Sequence, residues 1–180
     1  MASYAFDLKP CNRITIGSLG PAGQRTFYLQ ASQGRTVVSL ILEKQQAQAL
    51  AIGIDELLAE IEEKYPSDSP SEPVRREMSL LDPVSPRFRI GRLGLGYDAD
   101  EDLLVIFAQE LLSEEETARR EPALGRLWAN REQMAALSER ARKVAAAGRP
   151  ICALCGNPID PDGHFCPPSN GHSRVVDIIQ

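Results

Sequence analysis

The chain has 180 residues, of which 43% are hydrophobic and 25% charged, with a net charge of -5. That length makes one domain or two small ones, able to bury about 70% of the surface an unfolded chain exposes, and the composition excludes global disorder. The acidity excludes whole-surface attraction to nucleic acid or anionic lipid; with no run of about 18 apolar residues and no basic-then-apolar start, the sequence predicts a cytoplasmic protein that contacts no membrane.

Short strands come first. Residues 4–8 (YAFDL), 13–19 (RITIGSL), 25–31 (RTFYLQA) and 35–42 (RTVVSLIL) are rich in β-branched and aromatic side chains and are punctuated by GPAG and SQG, the pattern of a meander. Gly17, Gly20 and Gly23 look like a phosphate loop only superficially. The stretch lacks GK[ST], Pro21 removes a donor, and the segment leads into a strand instead of a helix, so a hairpin turn is predicted. In EKQQAQALAIGIDELLAEIEEKY, Ala47, Leu50, Ile54, Leu57 and Ile61 form one apolar stripe, which predicts a helix lying on the sheet. Gly53 weakens that helix by about 1 kcal/mol relative to Ala without ending it.

Residues 65–73, YPSDSPSEP, read as a linker. Beyond it, 87–97 (RFRIGRLGLGY), 102–111 (DLLVIFAQEL) and 123–129 (ALGRLWA) resume the strand pattern. Asp98, Asp100 and Asp102 imitate a calcium loop, but Leu103 and Gln109 stand where that loop needs Gly and Glu, so an acidic hairpin tip is predicted. Asn130 and Gln133 make a capping-box start for a second helix, and Gly148 is its stop. Cys11 reads as a small core or strand residue, and Trp128 as core.

The two halves look alike. ITIGSLG (14–20) aligns with FRIGRLG (88–94), RTFYLQ with LLVIFA, and the helix stripe returns at Met134, Leu137, Ala141, Val144 and Gly148. The predicted fold is α+β: antiparallel strands with two main helices, a duplicated meander-plus-helix unit, and then a small zinc hairpin. Its domains are 1–149, with halves 1–64 and 86–149 joined by linker 65–85, and 150–180, a zinc-ribbon-like hairpin and tail.

That second domain opens with ICALCGNPIDPDGHFCPPSNGH, which holds three of the four cysteines and both histidines in the spacing Cys152-x2-Cys155-x8-His164-x-Cys166. Gly156 after the second cysteine suits a tight knuckle with backbone N–H groups aimed at sulfur, and Pro158 to Gly163 can reverse the chain. His164 and Cys166, two apart on an extended segment, face the same way. The set is a tetrahedral Cys3His zinc site, and four protein ligands close the shell, so the zinc is structural. A disulfide would need an oxidising compartment, and Gly156-Asn157-Pro158 breaks the helix that a redox pair normally opens. An iron–sulfur cluster is the rarer use of such ligands. His172 and Asp162 are the alternative fourth ligands.

Charge is uneven. Residues 119–149 hold 8 Lys+Arg against 3 Asp+Glu, just before the cysteines. Arg140, Arg142, Lys143 and Arg149 there complement the end of the second helix and are the candidate anion- or partner-binding set; Arg142 and Arg149 could also offset the net -1 of a Cys3His zinc centre. Both histidines lie in the cluster, so no Ser/His/Asp set and no catalytic residue is proposed. The apolar tail Val175, Val176, Ile178 and Ile179 packs on the domain or meets a partner.

GSLGPAGQRTFYLQ, the LEKQQ helix start, GYDADEDLLVIFAQEL, the REQ helix and the ending AAAGRPICALCGNPIDPDGHFCPPSNGH together resemble a bacterial family of uncharacterised proteins, a domain of unknown function. The resemblance spans nearly the whole chain, and its CxxCGxPxDPxGHxCP motif is the most specific part. It implies no activity. Its members are encoded near a histidine-phosphatase-like and a lipid-kinase-like protein, and it supports Cys152, Cys155, His164 and Cys166 as metal ligands. Relatives often end in a more basic tail than HSRVVDIIQ.

The first functional reading is a non-enzymatic, zinc-stabilised binding or adaptor protein whose partner is another protein. The second is an enzyme acting on a phosphate-bearing substrate in a pocket between the halves, with zinc in support. The third, a nucleic-acid binder using the basic second helix and the hairpin, is disfavoured by the acidity and by an aromatic content of 6%.

Overall fold

A computed structural model describes residues 3–68, 76–148, 152–156, 159 and 163–166. Arg149, Asp162, His172, the apolar tail and residues 69–75 of the linker lie outside the described residues. The chain divides into two units: Met1–Leu19 with Thr26–Ala146, and Gly20–Arg25 with Ala147–Gln180. The short segment Gly20–Arg25 thus groups with the C-terminal unit, where the Arg25 guanidinium donates to the Ala147 carbonyl.

The larger unit contains β1 (Phe6–Leu8), β2 (Arg13–Leu19), β3 (Thr26–Gln33), β4 (Thr36–Leu42), α1 (Lys44–Lys64), β5 (Pro86–Asp98), β6 (Leu103–Glu110), a single turn α2 (Glu114–Thr117), β7 (Leu124–Ala129) and α3 (Arg131–Ala146). The strands form one sheet in the order β1-β7-β6-β5-β4-β3-β2. It is mixed, where the sequence suggested antiparallel pairing throughout: β2-β3-β4 and β5-β6-β7 are antiparallel meanders, but β4–β5 and β1–β7 are parallel. The edge strands β1 and β2 are linked by residues 9–12 alone, with a reach of at most about 18 Å. Seven flat strands would hold them about 29 Å apart, so the sheet curls until its edges approach. The backbone completes the approach: the Cys11 N–H donates to Trp128 O and the next residue, Asn12, to Ser32 O, both at 2.7–2.8 Å.

Each half of the chain lends its leading strand to the other. The start of β5 pairs with β4 through Pro86 and Arg89, and the rest of it, Ile90–Asp98, pairs with β6. In the same way β1 pairs with β7, and β2 with β3. The ladders match Ile16-Leu29-Leu40 with Leu95-Ile106-Leu127, and a helix begins four residues after Leu40 and four after Leu127. The helices are equivalent at the spacing read from the stripe: Ala47, Leu50, Ala51 and Ile54 are buried, as are Met134, Leu137, Ser138 and Ala141. The Ser138 hydroxyl donates at 3.1 Å to the carbonyl of Ala51, its own counterpart. The helix starts correspond too. Gln46 accepts from Glu43 N and donates to Ile90 O; Gln133 accepts from Asn130 N and donates to Cys11 O.

The core lies between the helices and one sheet face, with Ile16, Leu29, Leu40, Ile54, Ile90, Leu104, Ile106, Leu127, Met134 and Leu137 almost fully buried. On the opposite face of β2 and β3, residues 78–81 cross the strands as a strap. Thr15 Oγ1 donates to Met78 O at 2.5 Å, and the buried Gln30 amide grips both the N–H and the C=O of Leu81, at 2.7 and 3.0 Å. Leu80 fills the notch at Gly17, where a Cβ would lie 2.7 Å from its Cγ. Among the described residues no helix is long and apolar enough to cross a membrane.

Candidate metal centre

In the smaller unit the chain turns tightly at 152–156. Gly156 N donates to Cys152 O at 2.9 Å, and Gly156 takes φ 73°, the left-handed conformation that the motif reserves for glycine. Gly163 does the same at φ 97° directly before His164. These turns bring together all four predicted ligands. Cys152, Cys155, His164 and Cys166 each offer one ligand atom, and the four atoms lie within 4.8 Å of one another, so they could share one metal ion. Cys152 Sγ is 3.8 Å from Cys166 Sγ and Cys155 Sγ is 3.2 Å from His164 Nε2. No disulfide is formed, since a bonded pair of sulfurs stands at about 2.05 Å.

The knuckle is set up for thiolate. The Cys152 thiol is lowered to about 6, first by the backbone N–H of Cys155 and then by that of Leu154. Cys11, in the core of the other unit, is the opposite case: burial pushes it up to about 12, against a backbone hydrogen bond at Trp128 that lowers it, and its thiol faces Leu8 O at 3.6 Å. One cysteine is therefore core filling while the other three gather at one point. Cys152 and Cys166 are buried, whereas Leu154 and Phe165, the apolar residues beside the ligands, are exposed.

Three of the four cations proposed as an anion- or partner-binding set are described. Arg140 Nε donates to the Ile16 carbonyl at 3.2 Å, the Arg142 guanidinium is paired with Asp55 of α1, and Lys143 meets Glu139 at 2.7 Å. The three described cations of that set are thus occupied within the larger unit, and Arg149 lies outside the described residues.

A polar cluster that the sequence reading passed over lies where α1 ends, α3 begins and the β5–β6 hairpin turns. A cleft of about 530 Å³ there is lined by Leu58, Glu62, Ser67, Asp102, Arg131 and Ala135 among others. Arg131 donates to Asp102 at 2.8 Å, to Glu62 at 3.0 Å and to the Tyr97 hydroxyl at 3.2 Å, and Tyr97 donates to Asp102 at 2.7 Å. Asp102 sits at φ 52°, a conformation that aspartate tolerates better than most residues. These groups satisfy one another and tie three elements together. The signal in the sequence was the run GYDADED, whose acids serve the hairpin and the start of α3 in place of a cation.

The family described as Protein of unknown function (DUF3090) matches residues 5–166, and the chain belongs to it. No curated protein and no solved structure matches the chain.

Proposed function

We propose that this is a non-enzymatic binding or adaptor protein whose C-terminal segment is folded by one structural zinc ion held by Cys152, Cys155, His164 and Cys166. The observation that carries the reading is the convergence of the four ligand atoms within 4.8 Å. With Zn–S at about 2.3 Å and Zn–N at about 2.0 Å, tetrahedral geometry separates two sulfurs by about 3.8 Å and a sulfur from an imidazole nitrogen by about 3.5 Å. The Cys152–Cys166 distance of 3.8 Å equals the first, and the Cys155–His164 distance of 3.2 Å is a few tenths shorter than the second. Four protein ligands leave no position for a reacting water, so the metal's work is folding. So short a segment gains from metal what a core supplies elsewhere, and three metal-bound thiolates suit a reducing, cytoplasmic compartment. The partner reading favours a protein over nucleic acid, because the chain is acidic overall, at -5, and only 6% aromatic.

Metal content and a thiol count on protein purified without added metal test the reading. About one equivalent of zinc is expected, with three thiols released to a colorimetric reagent on chelation; less than about half an equivalent, with thiols reactive from the start, refutes it. His164→Ala should lose the metal and His172→Ala should keep it.

A further inference from the structure

Beyond the zinc segment, and independently of it, the larger unit has two strand edges in equivalent positions that are treated differently. β2 has β3 on one side and no strand on the other. From Gly91 onward β5 is in the same situation, since its pairing with β4 ends at Arg89 and only β6 continues beside it. An open edge presents unpaired backbone groups to any passing strand, and proteins usually block it.

The β2 edge is blocked. Arg140, the tenth residue of α3, donates through Nε to Ile16 O at 3.2 Å, and α3 packs more extensively on β2 than α1 does on β5. The equivalent of Ile16 is Leu95, and the tenth residue of α1 is Gly53. A Cβ at Gly53 would lie 3.0 Å from Leu95 Cδ1, so the two positions face each other just as Arg140 faces Ile16, but glycine has no side chain with which to bond the strand there. Between α1 and β5 a groove of about 430 Å³ remains, lined by Gln46, Ala49, Leu50, Arg92, Leu93 and Leu95. Its walls are apolar, and the exposed Arg92 at its mouth has no hydrogen-bond or ion-pair partner among the described residues. Gly94 and Gly96 present no side chain on the other face of the strand to crowd an incoming chain.

We propose that the β5 edge from Gly91 to Tyr97 is a docking site for an extended peptide segment of a partner protein, added as a further strand, with an apolar side chain in the Leu50–Leu93–Leu95 groove and an acidic group on Arg92. Main-chain hydrogen bonds supply affinity in this mode and the alternating side-chain pockets supply selectivity. The lone cation of the groove sets the sign of the charge the peptide must carry.

The test uses the full chain and four fluorescent heptapeptides read by anisotropy: one alternating valine with glutamate, one alternating valine with lysine, and two versions of the glutamate peptide N-methylated at alternate amides, one in each register. Saturable binding of the valine–glutamate peptide is expected, about tenfold weaker for the lysine peptide, with one N-methyl register abolishing binding and the other retaining it. Arg92→Glu should reverse the preference between the charged peptides. Gly53→Arg, which copies the block at the other edge and whose Cβ meets only the flexible end of Leu95, should abolish binding while circular dichroism and melting stay those of a folded protein. Absence of binding, equal loss in both registers, or binding indifferent to both substitutions overturns the proposal. So does a homodimer in sedimentation that Gly53→Arg dissolves, since the occupant would then be a second copy. Zinc stoichiometry is unaffected by any of these outcomes.

Discussion

Gly125→Ala tests the exchange of leading strands at its tightest point. Gly125 is in β7 directly opposite Phe6 of β1, and a Cβ there would lie 1.9 Å from Phe6 Cζ and 2.1 Å from Cε2, inside the ring. Gly125 is not among the glycines with positive φ, so alanine is free of backbone strain and even gains about 0.5–1 kcal/mol in chain entropy. Any loss is therefore steric. The Phe6 ring has little room to move, being buried and stacked on Phe88 with centroids 5.9 Å apart. Overpacking of this kind costs about 1–3 kcal/mol, while Phe6→Ala alone should cost about 3–5 kcal/mol by emptying the site. In the Phe6→Ala background the added methyl enters vacated space, so the cost of Gly125→Ala should fall to about zero and the double-mutant cycle should return a coupling of about the single-mutant loss. Urea unfolding followed by the emission of Trp128, three residues along the same strand, gives the free energies, with circular dichroism as a check that the transitions coincide. A neutral Gly125→Ala, or the same cost with and without the Phe6 ring, would show that β1 does not lie on β7 as described.

Three other outcomes rest on named contacts. Gln30→Leu, at a residue 1% exposed whose amide holds Leu81 N–H and C=O, should cost about 1–3 kcal/mol and speed proteolytic cleavage within residues 76–82; unchanged cleavage would mean the strap is held by Leu80 and the Thr15–Met78 bond without Gln30. Arg120 grips Glu110 with two hydrogen bonds, at 2.7 and 3.1 Å, and holds its carboxyl below the usual range. A lowered folded-state value means the unfolded chain takes up the proton first, so the contribution is complete above about pH 4.3 and is lost as pH falls through the folded value; the stability gap between the parent and Glu110→Gln should therefore shrink on acidification, and a gap constant down to about pH 3 would refute the pairing. Cys11 should stay silent to a thiol reagent in native, metal-stripped protein and react only on unfolding, because it is 4% exposed and pushed up to about 12; Cys11→Ser lowering the fast thiol count would contradict its burial.

The features legible in the sequence had local causes. Period-two and period-3.6 apolar patterns located the strands and both helices, and the helix stripe gave the correct equivalence of Leu50 with Leu137 because a helix repeats rigidly. The strands did not. Matching ITIGSLG to FRIGRLG equates Ile16 with Ile90, but the ladders equate Ile16 with Leu95. That difference of five residues is odd, so it would turn the core face of the strand outward. A register shift between Ile90 and Arg92 and the long leading part of β5 break the simple match, and neither leaves a local signal. The four residues that could hold a metal ion were legible because such a set is written in spacing and turn residues. The grouping of Gly20–Arg25 with the C-terminal unit was not, since nothing near Arg25 announces a bond to Ala147.

Position, more than residue type, separates the two halves. Arg140 reads in the sequence as one more cation near the end of a helix, where charge alone would explain it, and Gly53 reads as a flaw that weakens a helix. On equivalent turns of equivalent helices the two become opposites: one closes a strand edge by bonding its carbonyl, and the other, lacking a side chain, leaves the matching edge and its groove open. A residue that only relieves crowding should accept Ala with repacking of one leucine end, since the contact is 3.0 Å to a mobile methyl. Gly53→Ala should accordingly leave stability within about 1 kcal/mol of the parent, the helix gain offsetting the contact, and leave the groove open, whereas only a long side chain at that position should close it.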